Sequence, residues 1–117
     1  MPAEVHHLRA RRLFLTGASG FLGRGLLSRL ESAKFEKISC LSRSAPPSAA
    51  PAHVEWLRGG LADTAAYSAS LTGADCVIHL AAGTGKLPPK EYFASNVEGT
   101  RCLVEQCRQS GMRNFLF

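Results

Sequence analysis

A strand that runs directly into three spaced glycines and then into an amphipathic helix leaves a chain few folds to choose from, and residues 12 to 23 read that way. Leu13 to Leu15 is a short apolar run ending in Thr16 and Gly17, the pattern of a buried parallel strand. Gly17-Ala-Ser-Gly20-Phe-Leu-Gly23 follows, with the spacing G-x-x-G-x-x-G. Leu22, Leu26, Leu30 and Ala33 then fall on one helical stripe, opposite Arg24, Ser28, Arg29 and Glu31. Spaced glycines alone say little, but between a strand and a helix each has a task. Gly17 permits the tight turn, Gly20 lets a pyrophosphate approach the backbone, and Gly23 lets helix and strand pack closely. Unpaired N–H groups of the first helical turn, with roughly half a positive charge from the helix dipole, face the same point. The turn from Gly17 through Ser19 to Gly23 is therefore the candidate cofactor-binding segment. Its alternative is a structural glycine turn without a ligand.

Strands alternate with helical segments along the rest of the chain. Ile38 to Leu41 reads as a second strand, and Pro46, Pro47 and Pro51 make the Ser- and Ala-rich stretch from Ser42 to Ala52 a loop. Val54 to Leu57 reads as a third strand closed by Gly59 and Gly60, followed by a helix from Thr64 to Leu71 with Gly73 as its stop. Asp75 to Leu80 reads as a fourth strand. A long helix is expected from Glu91 to Ser110, with Phe93, Val97, Thr100, Val104 and Cys107 on its apolar stripe and Gly111 ending it; Asn114 to Phe117 opens a fifth strand. Parallel neighbours need crossover connections, so this alternation predicts a parallel sheet covered by helices. Right-handed crossovers and a ligand-binding switch point give the strand order 3-2-1-4-5, an α/β Rossmann-type doubly wound fold cut off in or after strand 5. Residues 1–11 are expected to be a basic flexible leader and 12–117 an incomplete NAD(P)-binding domain.

Composition narrows the class without naming a function. The 117 residues suffice for one modest domain, 45% hydrophobic and 20% charged, with no apolar run near the ~20 residues of a membrane helix. Of the net charge of +5, part sits in the leader, where Arg9, Arg11 and Arg12 cluster with His6 and His7. That cluster reads as a solvated tail, and the remaining positives are dispersed, so no nucleic-acid partner is expected. Cys40, Cys76, Cys102 and Cys107 have no Cys-x-x-Cys spacing. Cys102 and Cys107 stand about 140° apart around a helix, poor geometry for sharing a metal. They read as reduced, buried small hydrophobes, which suits the cytoplasm.

Cofactor choice turns on the end of the second strand. A dinucleotide fold usually carries an acid there that grips the ribose 2′-hydroxyl. This chain has Leu41-Ser42-Arg43. The planar fork of Arg43 suits a 2′-phosphate, which predicts NADP(H) over NAD(H). The plainer alternative is a solvated loop arginine.

Four motifs in order carry a resemblance: Thr16-Gly17-x-x-Gly20-Phe21-Leu22-Gly23, Leu61-Ala62-Asp63, His79-Leu80-Ala81-Ala82, and Asn96-Val97-Glu98-Gly99-Thr100. From about Arg12 to Phe117 the chain resembles the N-terminal part of an extended short-chain dehydrogenase/reductase of the NAD-dependent epimerase/dehydratase type. The resemblance implies that the backbone amides of Phe21 and Leu22 touch the diphosphate and that Leu61 lies beside the adenine. It places Leu80, Ala81 and Ala82 under the cofactor ribose and Asn96 near the nicotinamide half. Arg43 is similar in placement to the arginine of NADPH-using reductases of this family. One departure is Gly60, which stands where the family usually has an acid that contacts the adenine amino group; Asp63 then reads as a cap for the following helix. Thr84 and Lys86 sit in a loop that in relatives lines the substrate region, and Lys86 reads equally as a solvated lysine. His79, in a buried strand, reads as a core histidine rather than a base.

The family's hydride chemistry uses a Tyr-x-x-x-Lys pair and a Ser or Thr that holds the reacting oxygen. Tyr67 and Tyr92 are followed four positions on by Leu71 and Asn96, so neither supplies the pair. The expected function is the NAD(P)-binding portion of an oxidoreductase, epimerase or dehydratase acting on a sugar-nucleotide or small carbonyl or carbinol substrate. The rivals are a non-catalytic NAD(P)-binding regulator or redox sensor, and a short partner-binding module. An edge at Phe115 to Phe117 left without a successor is expected to favour self-association.

Overall fold

The computed structural model describes residues 11–31, 35–81 and 88–116. Five parallel strands, β1 (Arg12–Thr16), β2 (Lys37–Ser42), β3 (Val54–Arg58), β4 (Cys76–His79) and β5 (Phe115–Leu116), form one sheet in the order β3-β2-β1-β4-β5. This is the expected Rossmann-like order. Thr16 stands opposite both Leu41 and His79, and Ser42 opposite Arg58, so the carboxyl ends of four strands finish along one edge. The chain leaves β1 in one direction to build β2 and β3 and returns to its other side for β4 and β5. That places the switch point between β1 and β4.

Alternating side chains divide the core in two. Leu13, Leu15, Ile38, Cys40, Val54 and Cys76 pack with Leu27 of helix α1 (Phe21–Glu31) on one face. Phe14, Leu41 and Val77 meet Tyr67 and Leu71 of α2 (Thr64–Thr72) and Leu103 and Cys107 of α4 (Gly99–Ser110) on the other. Cys40, Cys76 and Cys107 are buried and Cys102 half-buried, none of them in a disulfide. Among the described residues no helix is long and apolar enough to cross a membrane.

Helix phase is where the structure departs from the expected stripes. In α1, Gly23 and Leu27 are buried with Leu26 and Leu30 packed beside them, whereas Leu22 is 68% exposed. Close contact of the helix with the turn after β1 runs through Gly23, which turns Leu22 outward. Ala33 lies outside the described residues.

The expected 91–110 helix begins at Pro89 and is three segments: α3 (Pro89–Tyr92), a π-helical segment (Phe93–Glu98) and α4. Its buried residues are Gly99, Leu103 and Cys107, while Phe93, Val97 and Val104 are about half exposed. A π segment inserts residues into the helical repeat, so a stripe drawn at 3.6 residues per turn through residue 93 loses phase by residue 104. Gly111, with φ +74°, ends α4 in the left-handed conformation that glycine favours.

Candidate dinucleotide site

The turn after β1 owes its shape to two glycines. Gly17 has φ +76°, and a Cβ on it would come within 2.6 Å of the Ala81 nitrogen. Gly23 is pressed on the same turn: a Cβ there would overlap the Gly17 carbonyl and lie 2.8 Å from Ala18 Cα. Gly20 differs, since its Cβ would meet only the Gly17 oxygen, at 3.4 Å, and the residue is exposed. The Gly20 N–H donates to the Gly17 carbonyl (3.1 Å) and the Arg24 N–H to the Gly20 carbonyl (2.9 Å), which makes Gly20 the residue that starts α1. The next N–H groups, of Phe21, Leu22 and Gly23, have no acceptor one turn back, and the first turn of α1 carries no acid. The Phe21 side chain is 98% exposed.

Beneath this turn lies a buried polar junction. Thr16 Oγ1 accepts the N–H groups of Leu80 and Ala81, both at 3.1 Å, and lies 2.6 Å from His79 Nδ1. With its lone pairs so used, the Thr16 hydroxyl donates to Nδ1. The His79 proton therefore sits on Nε2, which donates to Thr100 Oγ1 at 3.0 Å. Burial lowers the imidazole pKa below its usual 6.5, in keeping with that neutral form. His79 is thus a core histidine that ties β1, β4 and α4 together, while Thr16 holds the Leu80–Ala81 backbone against Gly17. Ala82, Thr84 and Lys86 lie outside the described residues.

The β2 end reaches the same edge. The Ser42 hydroxyl donates to Ser19 Oγ at 3.1 Å and accepts the Ser44 N–H at 3.1 Å, joining the glycine turn to the segment that carries Arg43. Arg43 is exposed, and among the described residues its guanidinium has no hydrogen-bond or ion-pair partner. Its Cδ lies 3.8 Å from where a Cβ on Gly60 would be, so its stem covers the turn after β3.

That turn is held by side chains. Asp63 Oδ2 accepts the Gly60 N–H at 2.8 Å, and no side-chain bond caps α2, so the expected cap points backward into the turn instead. The hydroxyl of Tyr67, 1% exposed, donates to the Leu61 carbonyl at 2.6 Å, and burial pushes its pKa up to about 12. Leu61 in turn fills the space left by Gly99, where a Cβ would come within 3.0 Å of Leu61 Cδ1. Asn96, exposed in the π-helical segment, precedes that contact by one turn.

The structure thus gathers Gly17, Ser19, Gly20, Arg43, Leu61, Leu80 and Ala81 along one edge, with Phe21 and Leu22 opening the helix above it. Sequence reasoning passed over Thr16, Ser42 and Tyr67. Thr16 and Ser42 are strand-end hydroxyls that pattern analysis scores as ordinary termini, and Tyr67 sits on a helix face that reads as apolar. Among the described residues no three His, Cys, Asp or Glu side chains converge to hold a metal ion.

A parallel sheet with this switch point and this glycine turn defines a Rossmann-type nucleotide-binding protein. Residues 13–117 match the NAD dependent epimerase/dehydratase family, and the chain belongs to that family. Uronate dehydrogenase of Pseudomonas putida is 35% identical over 107 residues, 91% of this chain and 39% of the relative. The crystal structure of a uronate dehydrogenase variant from Agrobacterium tumefaciens complexed with NAD has a TM-score of 0.76 at 32% identity, covering 86% of this chain and 37% of that one. MoeE5 in complex with UDP-glucose and NAD gives 0.75 at 29%, covering 89% of this chain and 34% of that chain. The chain therefore spans under two-fifths of the length of these relatives.

Proposed function

We propose that this chain is the dinucleotide-holding portion of an oxidoreductase that moves hydride between a nicotinamide cofactor and a sugar-derived or small carbonyl or carbinol substrate, with NADP(H) as the preferred cofactor. The observation that carries the proposal is Gly20. The backbone at Gly20 has an ordinary φ and a Cβ there would meet only the Gly17 oxygen, at 3.4 Å, yet the position opens a helix whose N–H groups and dipole face outward with no acid to occupy them. A pyrophosphate on Gly20 would meet the free N–H donors and the positive end of the helix dipole. NAD in the solved relatives and the chain's family membership support the same ligand class.

The bound cofactor would supply the hydride chemistry. The chain's own residues would bind and orient it: the Phe21 and Leu22 amides would take the diphosphate, Leu61 would flank the adenine, Leu80 and Ala81 would support the ribose, and Asn96 would serve the nicotinamide half. Ala82, proposed with Leu80 and Ala81, lies outside the described residues. Tyr67 belongs to the adenine end, because its hydroxyl is spent on the Leu61 carbonyl. Arg43 supports NADP(H): an exposed guanidinium with no partner among the described residues, on the residue that follows the Ser42 of the Ser42–Ser19 bond, suits a 2′-phosphate.

Titrating NAD(H) and NADP(H) into the protein at its natural length, and into Arg43→Asp, tests both levels. NADP(H) should bind about 10- to 100-fold more tightly, and the order should reverse in the variant. Tighter NAD(H) binding in the unmutated protein would sink the NADP(H) preference alone. Binding of neither cofactor would sink the whole proposal.

A further inference from the structure

We infer that Gly60 is a specificity-determining residue: by carrying no side chain, it keeps a competing acceptor away from Arg43 and leaves the guanidinium open to a phosphate. The inference rests on the NADP(H) reading above and extends it to a residue on another strand.

Nothing in the fold itself asks for glycine at this position. The positive-φ glycines among the described residues are Gly17 and Gly111, so the Gly60 backbone is one that any residue adopts. Space does not require it either. A Cβ would meet Asp63 Oδ2 at 3.5 Å and Arg43 Cδ and Cγ at 3.8 and 4.0 Å, all ordinary van der Waals distances. Gly17, Gly23 and Gly99, by contrast, would each drive a Cβ to 3.0 Å or less from a neighbour. What the missing side chain keeps clear at Gly60 is the stem of Arg43.

The consequence is electrostatic. A carboxylate at position 60 would start beside Arg43 Cδ and lie within reach of the guanidinium beyond it. The planar fork would then have an internal bidentate acceptor, and a phosphate would have to displace it while facing one more negative charge. The carboxylate that does stand near position 60, Asp63, accepts the Gly60 N–H at 2.8 Å through Oδ2 and makes no ion pair with Arg43. Gly60 thus helps Arg43 by offering no acid of its own.

Adenosine 2′,5′-bisphosphate and 5′-AMP differ only in the 2′-phosphate, so the ratio of their dissociation constants measures the preference directly. In the natural-length protein, Gly60→Asp should lower that preference about tenfold, as expected for a partly exposed ion pair that competes for the fork. Gly60→Asn, equal in size and uncharged, should keep it within about twofold. In an Arg43→Ala background the Gly60→Asp change should have no further effect, since no fork remains to compete for. Retained 5′-AMP binding reports folding. If Asp at 60 beside Asp63 impairs it, adding Asp63→Asn removes the like charge and the comparison is repeated. Equal losses in the Asp and Asn variants, or a Gly60→Asp effect that persists without Arg43, would overturn the inference while leaving the NADP(H) reading intact. No 2′-phosphate preference in the unmutated protein would overturn both.

Discussion

After β1 the chain turns on glycines whose missing side chains are replaced by backbone; after β3 it turns on a glycine with room to spare, fixed by the side chains of Asp63 and Tyr67. Both turns reach the same sheet edge. The first is rigid because nothing larger than hydrogen fits, so its shape is written in the glycine spacing itself. The second is rigid only while its polar contacts last, and its glycine is left for another purpose. One residue type therefore carries two meanings in a single site: a packing necessity at Gly17 and Gly23, and a cleared space at Gly60.

The sharpest way to break this contrast is to make the same substitution in both turns. Gly23→Ala forces a methyl into the Gly17 carbonyl and should cost about 3 kcal/mol or more, read as a large drop in the urea midpoint. Tyr67→Phe removes the donor from the Leu61 carbonyl and should cost about 1–2 kcal/mol, while weakening adenine-containing ligands more than pyrophosphate alone.

The junction beneath the first turn adds a pH signature. Because the folded His79 pKa lies below 6.5, its contribution is complete above that value and declines as pH falls toward the folded pKa, where it levels off. Comparing urea midpoints at pH 7.5 and 5.5 should show a loss of at most about 1.4 kcal/mol per pH unit that His79→Asn does not share. The smallest effect belongs to Gly60→Ala, expected within about 0.5 kcal/mol of the unmutated protein and on the stabilising side if it departs. A Gly60→Ala cost approaching that of Gly23→Ala would erase the distinction between the turns.

How much of this could be read from the residues follows the same division. The strand order was legible because parallel strands need crossovers, and the alternation of apolar runs with helical segments left one arrangement consistent with the glycine turn. Gly17 and Gly23 were legible because steric demand falls on a fixed spacing. Asp63 was not: a carboxylate before a helix satisfies either the helix or the turn behind it, and only the fold shows that it reaches back to Gly60. The apolar stripe of the long helix failed for a different reason. Its period is interrupted at Phe93–Glu98, and the tight contact of Leu61 on Gly99 sets the phase of everything after it. Leu22 was misplaced because a glycine, invisible to a hydrophobic count, forms the true inner face of α1. Ser42 and Tyr67 depend on partners 23 and six residues away, which no local window connects.

The hydroxyl of Thr16 has a consequence beyond packing. It gathers two amides from the chain leaving β4 and gives its one proton to His79, so hydrogen positions in this part of the core run in a single direction, from the sheet toward α4. Drawing Leu80 and Ala81 away from Gly17 would release that oxygen, and its proton would no longer be committed to the ring. The ring nitrogens of His79 are then a built-in gauge of the strand edge above them. Their nitrogen-15 resonances report whether the edge is closed without any label placed on the site itself.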